Sequence, residues 1–179
     1  MKAVMARRYG APEVLTVEDI PIPSPKPDQV RVRVEATSVT TGDTRLRGFA
    51  GAGVFWLPLR LMFGIFRPRR PTPGMEFSGT IDAVGAAVTE FAPGDPVFGM
   101  VLRGANAEYL VMPARGTIAR RPAGLISAQT AAVPFGALAA LAFLRDFARL
   151  RAGEKILVVG ASGSVGVFAV QLARHFGAD

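Results

Sequence analysis

The clearest pattern along the chain is the alternation from Gln29 to Val39. Val30, Val32 and Val34 alternate with Arg31, Arg33 and Glu35, which predicts a strand with one buried and one wet face. Residues 2–9 and 13–18 alternate as the arms of a hairpin that turns at Gly10-Ala-Pro12, and Pro21 to Pro27 reads as a proline-rich loop. Gly74 to Gly85 returns to strand, with Phe77, Gly79, Ile81 and Ala83 on one face. Short strands follow at Gly94–Met100, Ala107–Met112 and Thr117–Arg120, each punctuated by Gly or Pro. Many short strands with frequent turns predict a small barrel or sandwich.

The second half changes period. Ser127 is placed to cap a helix that Pro134 ends or kinks, and a second helix runs from about Phe135 to Leu150 with Phe143, Phe147 and Leu150 on one stripe. Lys155 to Val159 is a short apolar run with β-branched residues, as in a buried parallel strand. Gly160-Ala-Ser-Gly-Ser-Val-Gly166 is a glycine-rich turn. Val167 to Phe176 repeats apolar residues at helical spacing and stops at Gly177.

Strand, glycine turn and helix open a dinucleotide-binding unit. Small residues admit a pyrophosphate close to the backbone, and the helix N-terminus offers free N–H groups. The usual Gly-x-Gly-x-x-Gly falls on Ala161-Ser162-Gly163-Ser164-Val165-Gly166, so Ala161 replaces the first glycine. Gly163 allows approach to phosphate and Gly166 lets the helix pack on the strand. The competing reading is a tight turn with no ligand. The residue that reads the ribose 2′ position lies about 20 residues further on in such units, and Asp179 comes too early for it.

Residues 48–71 break the strand pattern. Gly48 to Phe66 is apolar, aromatic and glycine-rich with one charge, and Arg67-Pro-Arg-Arg70 follows. Three readings compete: a cover over an apolar substrate pocket, a partner- or membrane-surface segment, or core. Gly42 to Arg47 predicts a short helical turn just before this stretch.

Composition narrows the options. The formal net charge is +7, and lysine occurs only at Lys2, Lys26 and Lys155, so arginine dominates. Nucleic-acid binding is not expected, because no groove-reading motif accompanies the charge. There is no cysteine, which removes disulfides and thiolate metal sites and suits a cytoplasmic protein. The single histidine, His175, sits late in the last helix and reads as a solvated residue. Met1 to Arg8 is too short and charged for a signal peptide. Pro122 to Leu144 is uncharged but alanine-rich and interrupted by Ser127, Gln129, Thr130 and Pro134, so buried soluble helices are the better reading and a membrane is not the expected partner.

Taken in order, these pieces resemble the medium-chain dehydrogenase/reductase superfamily, and most of all its zinc-free branch of quinone reductases and zeta-crystallin-like proteins. Pro73-Gly-Met-Glu-Phe-Ser-Gly-Thr-Ile-Asp-Ala-Val-Gly85 resembles the family's Pro-Gly-x-Glu/Asp segment ending in Val-Gly. Gly94 to Gly99, Ala107-Glu-Tyr109, Ala131-Ala-Val-Pro134 and Gly160 to Gly166 match its later signatures. The resemblance implies a GroES-like β-barrel domain over 1–125. After it come linker helices and the first β-α unit of a Rossmann α/β domain over 126–179, truncated there, with a cofactor cleft between the two domains. Positions that hold Cys and His in zinc-dependent relatives read Thr40 and Met75, neither a usual zinc ligand, so no metal is expected. Where quinone reductases often carry Asn-Pro this chain has Thr40-Thr41, with Asp43 matching, and Ala139 stands where a threonine is frequent.

The resemblance implies an NADPH-dependent, zinc-independent reductase of quinones or other activated carbonyl or enone compounds, with NADH as the alternative cofactor. Thr40 and Asp43 are the expected catalytic residues. Thr41, Gly160, Ala161, Ser162, Gly163, Ser164, Val165 and Gly166 are expected at the cofactor, and Trp56 and Phe63 in the substrate pocket. The partner is then a small-molecule substrate, and the full-length protein is expected to be a homo-oligomer. Two other readings stand beside it: a truncated, inactive fragment with an intact barrel domain, expected to be poorly soluble or oligomeric, and a partner- or membrane-binding module through residues 52–70.

Overall fold

Val30 and Val32 are fully buried on the inner face of β3 (Gln29–Thr37), as its alternation requires. In this computed structural model, which describes residues 1–49 and 53–179, β3 pairs antiparallel with β4 (Glu76–Val84) on one side and with β6 (Tyr109–Pro113) on the other. β5 (Pro96–Met100) and β7 (Ile118–Arg120) extend the sheet in the order β6-β3-β4-β5-β7. Phe77, Ile81, Val97, Leu110 and Met112 join the two valines in one core. On the wet face Arg31 of β3 meets Asp82 of β4 at 2.5 Å.

β1 (Lys2–Ala6) and β2 (Leu15–Asp19) form the expected hairpin, though a 3-10 turn at Pro12–Val14 lengthens its bend. A closed barrel is not what the described residues form. The hairpin is a separate two-stranded sheet, joined to the larger one by a single bridge between Ala3 and Ala107. The ladder stops there because the neighbouring donors go elsewhere: the Lys2 N–H donates to the Glu108 carboxylate (2.7 Å) and the Ala6 N–H to the Pro71 carbonyl (2.8 Å).

α1 (Thr41–Gly48) fulfils the helical turn expected after β3, and α2 (Trp56–Phe63) follows a 3-10 turn at Gly53–Phe55. Of the stretch 48–71, residues 50–52 lie outside the described residues. α3 (Ser127–Ala131) covers the face of the sheet opposite Phe77. There the buried Thr130 hydroxyl donates to the Ser78 hydroxyl at 2.8 Å, and Ser78 donates to the Val97 carbonyl at 3.2 Å.

The chain divides into two units, Met1–Ala131 and Ala132–Asp179. In the second, Pro134 does not end a helix. It occupies the first turn of α4 (Pro134–Leu141), where its missing N–H costs nothing. α4 continues as a π-helix over Ala142–Phe147, short of Leu150, and α5 (Ser164–His175) packs against α4. Lys155 to Val159 is not a strand: it has no ladder among the described residues, and Leu157 and Val159 are each 88% exposed. A central parallel strand exists only by pairing with neighbours. Two bonds sketch such a rung around Lys155: the Asp179 N–H donates to the Glu154 carbonyl and the Ile156 N–H to the Asp179 carbonyl, each at 2.9 Å.

Ser127 is the first residue of α3 rather than its cap, and its hydroxyl serves Glu35. The Glu35 carboxylate accepts from the Ser127 hydroxyl, from the Thr80 hydroxyl at 2.6 Å and from Arg121 at 3.1 Å, tying β3 to β4 and α3. These bonds, Ser127's foremost, pull its pKa from 4.5 down to about 2. A depressed carboxylate stabilises the fold above its unfolded pKa, and that contribution is lost as pH falls through its folded pKa. The stability difference between the native chain and Glu35→Gln should therefore hold above pH about 4.5 and shrink toward pH about 2. Urea unfolding across that range measures it; a difference that does not change with pH would contradict the assignment.

Candidate functional site

Thr40 ends the extended backbone after β3 and caps α1. Its hydroxyl accepts from the Asp43 N–H at 3.3 Å, and the Asp43 side chain reaches back to the Thr40 N–H at 2.9 Å, a complete capping box. The Thr40 hydroxyl also donates to Asp43 Oδ2 at 2.8 Å, and the Gly74 N–H donates to Oδ1 at 3.1 Å. Asp43 is thus 8% exposed with both oxygens engaged. Thr41 opens α1 and is exposed; its carbonyl accepts from the Thr44 hydroxyl at 2.9 Å.

Gly74 must be glycine. Its φ is +92°, and a Cβ there would lie 2.3 Å from Asn106 Oδ1. Asn106 in turn accepts from the Thr37 hydroxyl at 2.9 Å and donates its N–H to the Pro73 carbonyl at 3.0 Å. A Cβ on Gly42 would touch both Thr40 Oγ1 (3.3 Å) and Met75 Sδ (3.4 Å), so these two side chains border the same side of Gly42. No group of three His, Cys, Asp or Glu among the described residues could hold a metal ion.

Near this knot lies a feature that sequence reading misses. Arg103 is buried, and its Nε and Nη1 have no hydrogen-bond partner among the described residues. Burial lowers its pKa, against the opposing pull of Tyr9 and Asp43. No sequence signal marks it, since an arginine in a Leu-Arg-Gly loop reads as exposed. Burial raises the pKa of Tyr9 in turn, opposed by Arg60, Arg103 and Arg69, and the Tyr9 hydroxyl donates to the Gly64 carbonyl at 2.8 Å.

Trp56 and Phe63 sit on α2, Trp56 half exposed and Phe63 buried. Neither lines the apolar groove of about 500 Å³ that runs past Val4, Val34, Thr37, Val39 and Asn106.

In the second unit, Gly160 takes φ +78° and its carbonyl accepts from the Gly163 N–H at 2.9 Å. Gly163 is the N-cap of α5 with no side-chain cap, and Ala161, Ser162 and Ser164 are exposed around it. Val165 is half-buried and Gly166 buried; a Cβ on Gly166 would lie 2.2 Å from the Gly160 carbonyl. The Gly160 carbonyl lies against Gly166 at the helix start, and the first N–H groups of α5 have no partner within the helix. A helix start of this kind offers donors of the sort that phosphate oxygens accept. His175, at the other end of α5, is exposed.

Residues 26–123 match the alcohol dehydrogenase GroES-like domain. The chain is 36% identical over 179 residues to the quinone oxidoreductase of Sus scrofa, covering 99% of this chain and 50% of that protein. The structure of Escherichia coli quinone oxidoreductase in complex with NADPH aligns with a TM-score of 0.80 at 25% identity, covering 100% of this chain and 51% of that one. The CurK enoyl reductase aligns at 0.88, also 25% identical, over 99% and 52%. The chain belongs to the medium-chain dehydrogenase/reductase superfamily, as a GroES-like domain of the quinone-reductase-like kind. It spans about half the length of these relatives, which are oxidoreductases.

The capping geometry makes a direct prediction. Thr40→Ala should cost about 1 kcal/mol, the usual loss of an N-cap. Asp43→Ala should cost about 2–3 kcal/mol, because it also leaves the buried Gly74 N–H unpaired. Chemical denaturation of the two variants checks the order; equal losses would mean that the bond to Gly74 carries no weight.

Proposed function

We propose that the protein reduces quinones or other activated carbonyl or enone compounds by hydride transfer from NADPH, without zinc. The observation that carries this reading is the glycine cradle at Gly160–Gly166, open at the N-terminus of a twelve-residue helix. The likeness to an NADPH-bound quinone oxidoreductase supports the choice of cofactor and substrate class.

The reduced nicotinamide supplies the hydride, so the chain's task is to bind, orient and exclude water. The N–H groups of Ser164, Val165 and Gly166 donate to pyrophosphate oxygens, aided by the positive end of the helix. Gly163 keeps the approach clear, while Ala161 and Ser162 border it. In the first unit Asp43 acts through Thr40. Its carboxylate accepts the hydrogen bond of the Thr40 hydroxyl, and the Asp43 N–H uses one lone pair, which leaves the other lone pair of Thr40 Oγ1 to accept from a ribose or substrate hydroxyl. Thr41, exposed beside it, is free to make a second polar contact. A hydroxyl and a thioether at Thr40 and Met75 are poor zinc ligands, which supports metal-free chemistry. Trp56 and Phe63 lie off the groove of the first unit, so this reading gives them no contact with the substrate.

Titration of NADPH into the protein, followed by nicotinamide fluorescence, tests the cradle. Gly163→Val should weaken binding by about tenfold or more, since the branched side chain fills the phosphate approach, with the circular dichroism spectrum unchanged. Unchanged affinity would sink the assignment of this loop to the cofactor.

A further inference from the structure

We propose that residues 53–70 form a surface that docks on an anionic lipid bilayer. A solvated helix turns its apolar side chains inward and its charges outward. α2 does the reverse. Its single charged residue, Arg60, points into the protein: the guanidinium lies 4.1 Å from the Tyr9 ring centroid, 4.3 Å from Phe49 and 5.3 Å from Trp56, and donates to the Ile65 carbonyl at 2.7 Å. Phe63 is buried as well. Leu57, Leu61 and Met62 face outward, joined by Val54, Trp56, Ile65 and Phe66, the last 91% exposed.

An exposed run of this extent marks an interaction surface, and its charge identifies the partner. Arg67, Arg69 and Arg70 are exposed directly beside Phe66, and no acidic residue occurs between Asp43 and Glu76. A protein partner with a mixed surface would have carboxylates to pair with and bases to meet; this strip offers only apolar side chains and guanidinium groups. Apolar residues that insert at the headgroup boundary, flanked by arginines for lipid phosphates, fit a bilayer that carries negative charge. Trp56 stands at the edge of the strip, where an indole favours the membrane–water boundary. No helix among the described residues is long and apolar enough to cross a membrane, so the segment lies on the surface rather than spanning it.

Trp56 is the sole tryptophan in the sequence, so its emission reports on this strip alone. The chain is mixed with phosphatidylglycerol vesicles and, separately, with phosphatidylcholine vesicles, and followed by Trp56 emission and by flotation. Expected are a shift to shorter wavelength and flotation with phosphatidylglycerol only, both weakening as salt rises. Replacing Arg67, Arg69 and Arg70 together by Gln should weaken binding by about tenfold or more, and Leu61→Glu with Phe66→Glu should abolish it. All five side chains are exposed, so these variants keep the fold. No shift with phosphatidylglycerol, equal binding to phosphatidylcholine, or wild-type binding by the triple Gln variant overturns the proposal. A shift that grows with protein concentration in the absence of lipid assigns the strip to a second copy of the chain and overturns it as well.

Discussion

The Asp43 carboxylate accepts three hydrogen bonds: from the backbone and hydroxyl of Thr40, and from the backbone of Gly74. The first two close α1 onto the end of β3. The third reaches across 31 positions of the chain and anchors the turn that feeds β4. Because Gly74 adopts a left-handed backbone against Asn106, the same carboxylate also fixes where Asn106, and with it Thr37, must sit. A buried carboxylate is costly unless its oxygens are satisfied, and here both are. The position of Thr40 is therefore set by an interaction made for the fold's own electrostatic reasons.

The second unit solves a different problem with backbone alone. Gly166 lets the loop carbonyl of Gly160 come to the start of α5, and Gly163 leaves that start uncapped. A helix end without a side-chain cap keeps its N–H groups available, which suits a charged ligand and serves the isolated helix poorly. In the same unit Phe135, Leu138, Phe143, Phe147, Leu157, Val159, Val167 and Val170 are exposed.

Arg60 links the two themes of cost and exposure. Its guanidinium, stacked on Tyr9, Phe49 and Trp56, takes the polar side of α2 into the protein and forces Leu57, Leu61 and Met62 outward. Cation–π contact of this kind offsets part of the burial of the charge. An apolar strip follows from where one arginine points.

Local pattern alone determined the elements whose neighbours lie close in sequence or whose period is strict. The alternation of Val30, Val32 and Val34, the hairpin around Gly10, the helical turn from Gly42 to Arg47 and the amphipathic run to Phe176 each carry their geometry in residue type and spacing. The family resemblance was likewise readable, because its motifs are turns and glycine positions that backbone conformation dictates. What the sequence could not determine depends on partners far along the chain. Whether the sheets close was decided by where the donors of Lys2 and Ala6 go. Lys155 to Val159 has the composition of a strand, but a strand is defined by its neighbours. Pro134 reads equally as a helix end or a helix start until the packing of α4 on α5 chooses. The burial of Arg103 and the inward turn of Arg60 are the deepest cases: residue type places both outside, and only the tertiary arrangement of Tyr9, Phe49 and Asp43 around them brings their charges in.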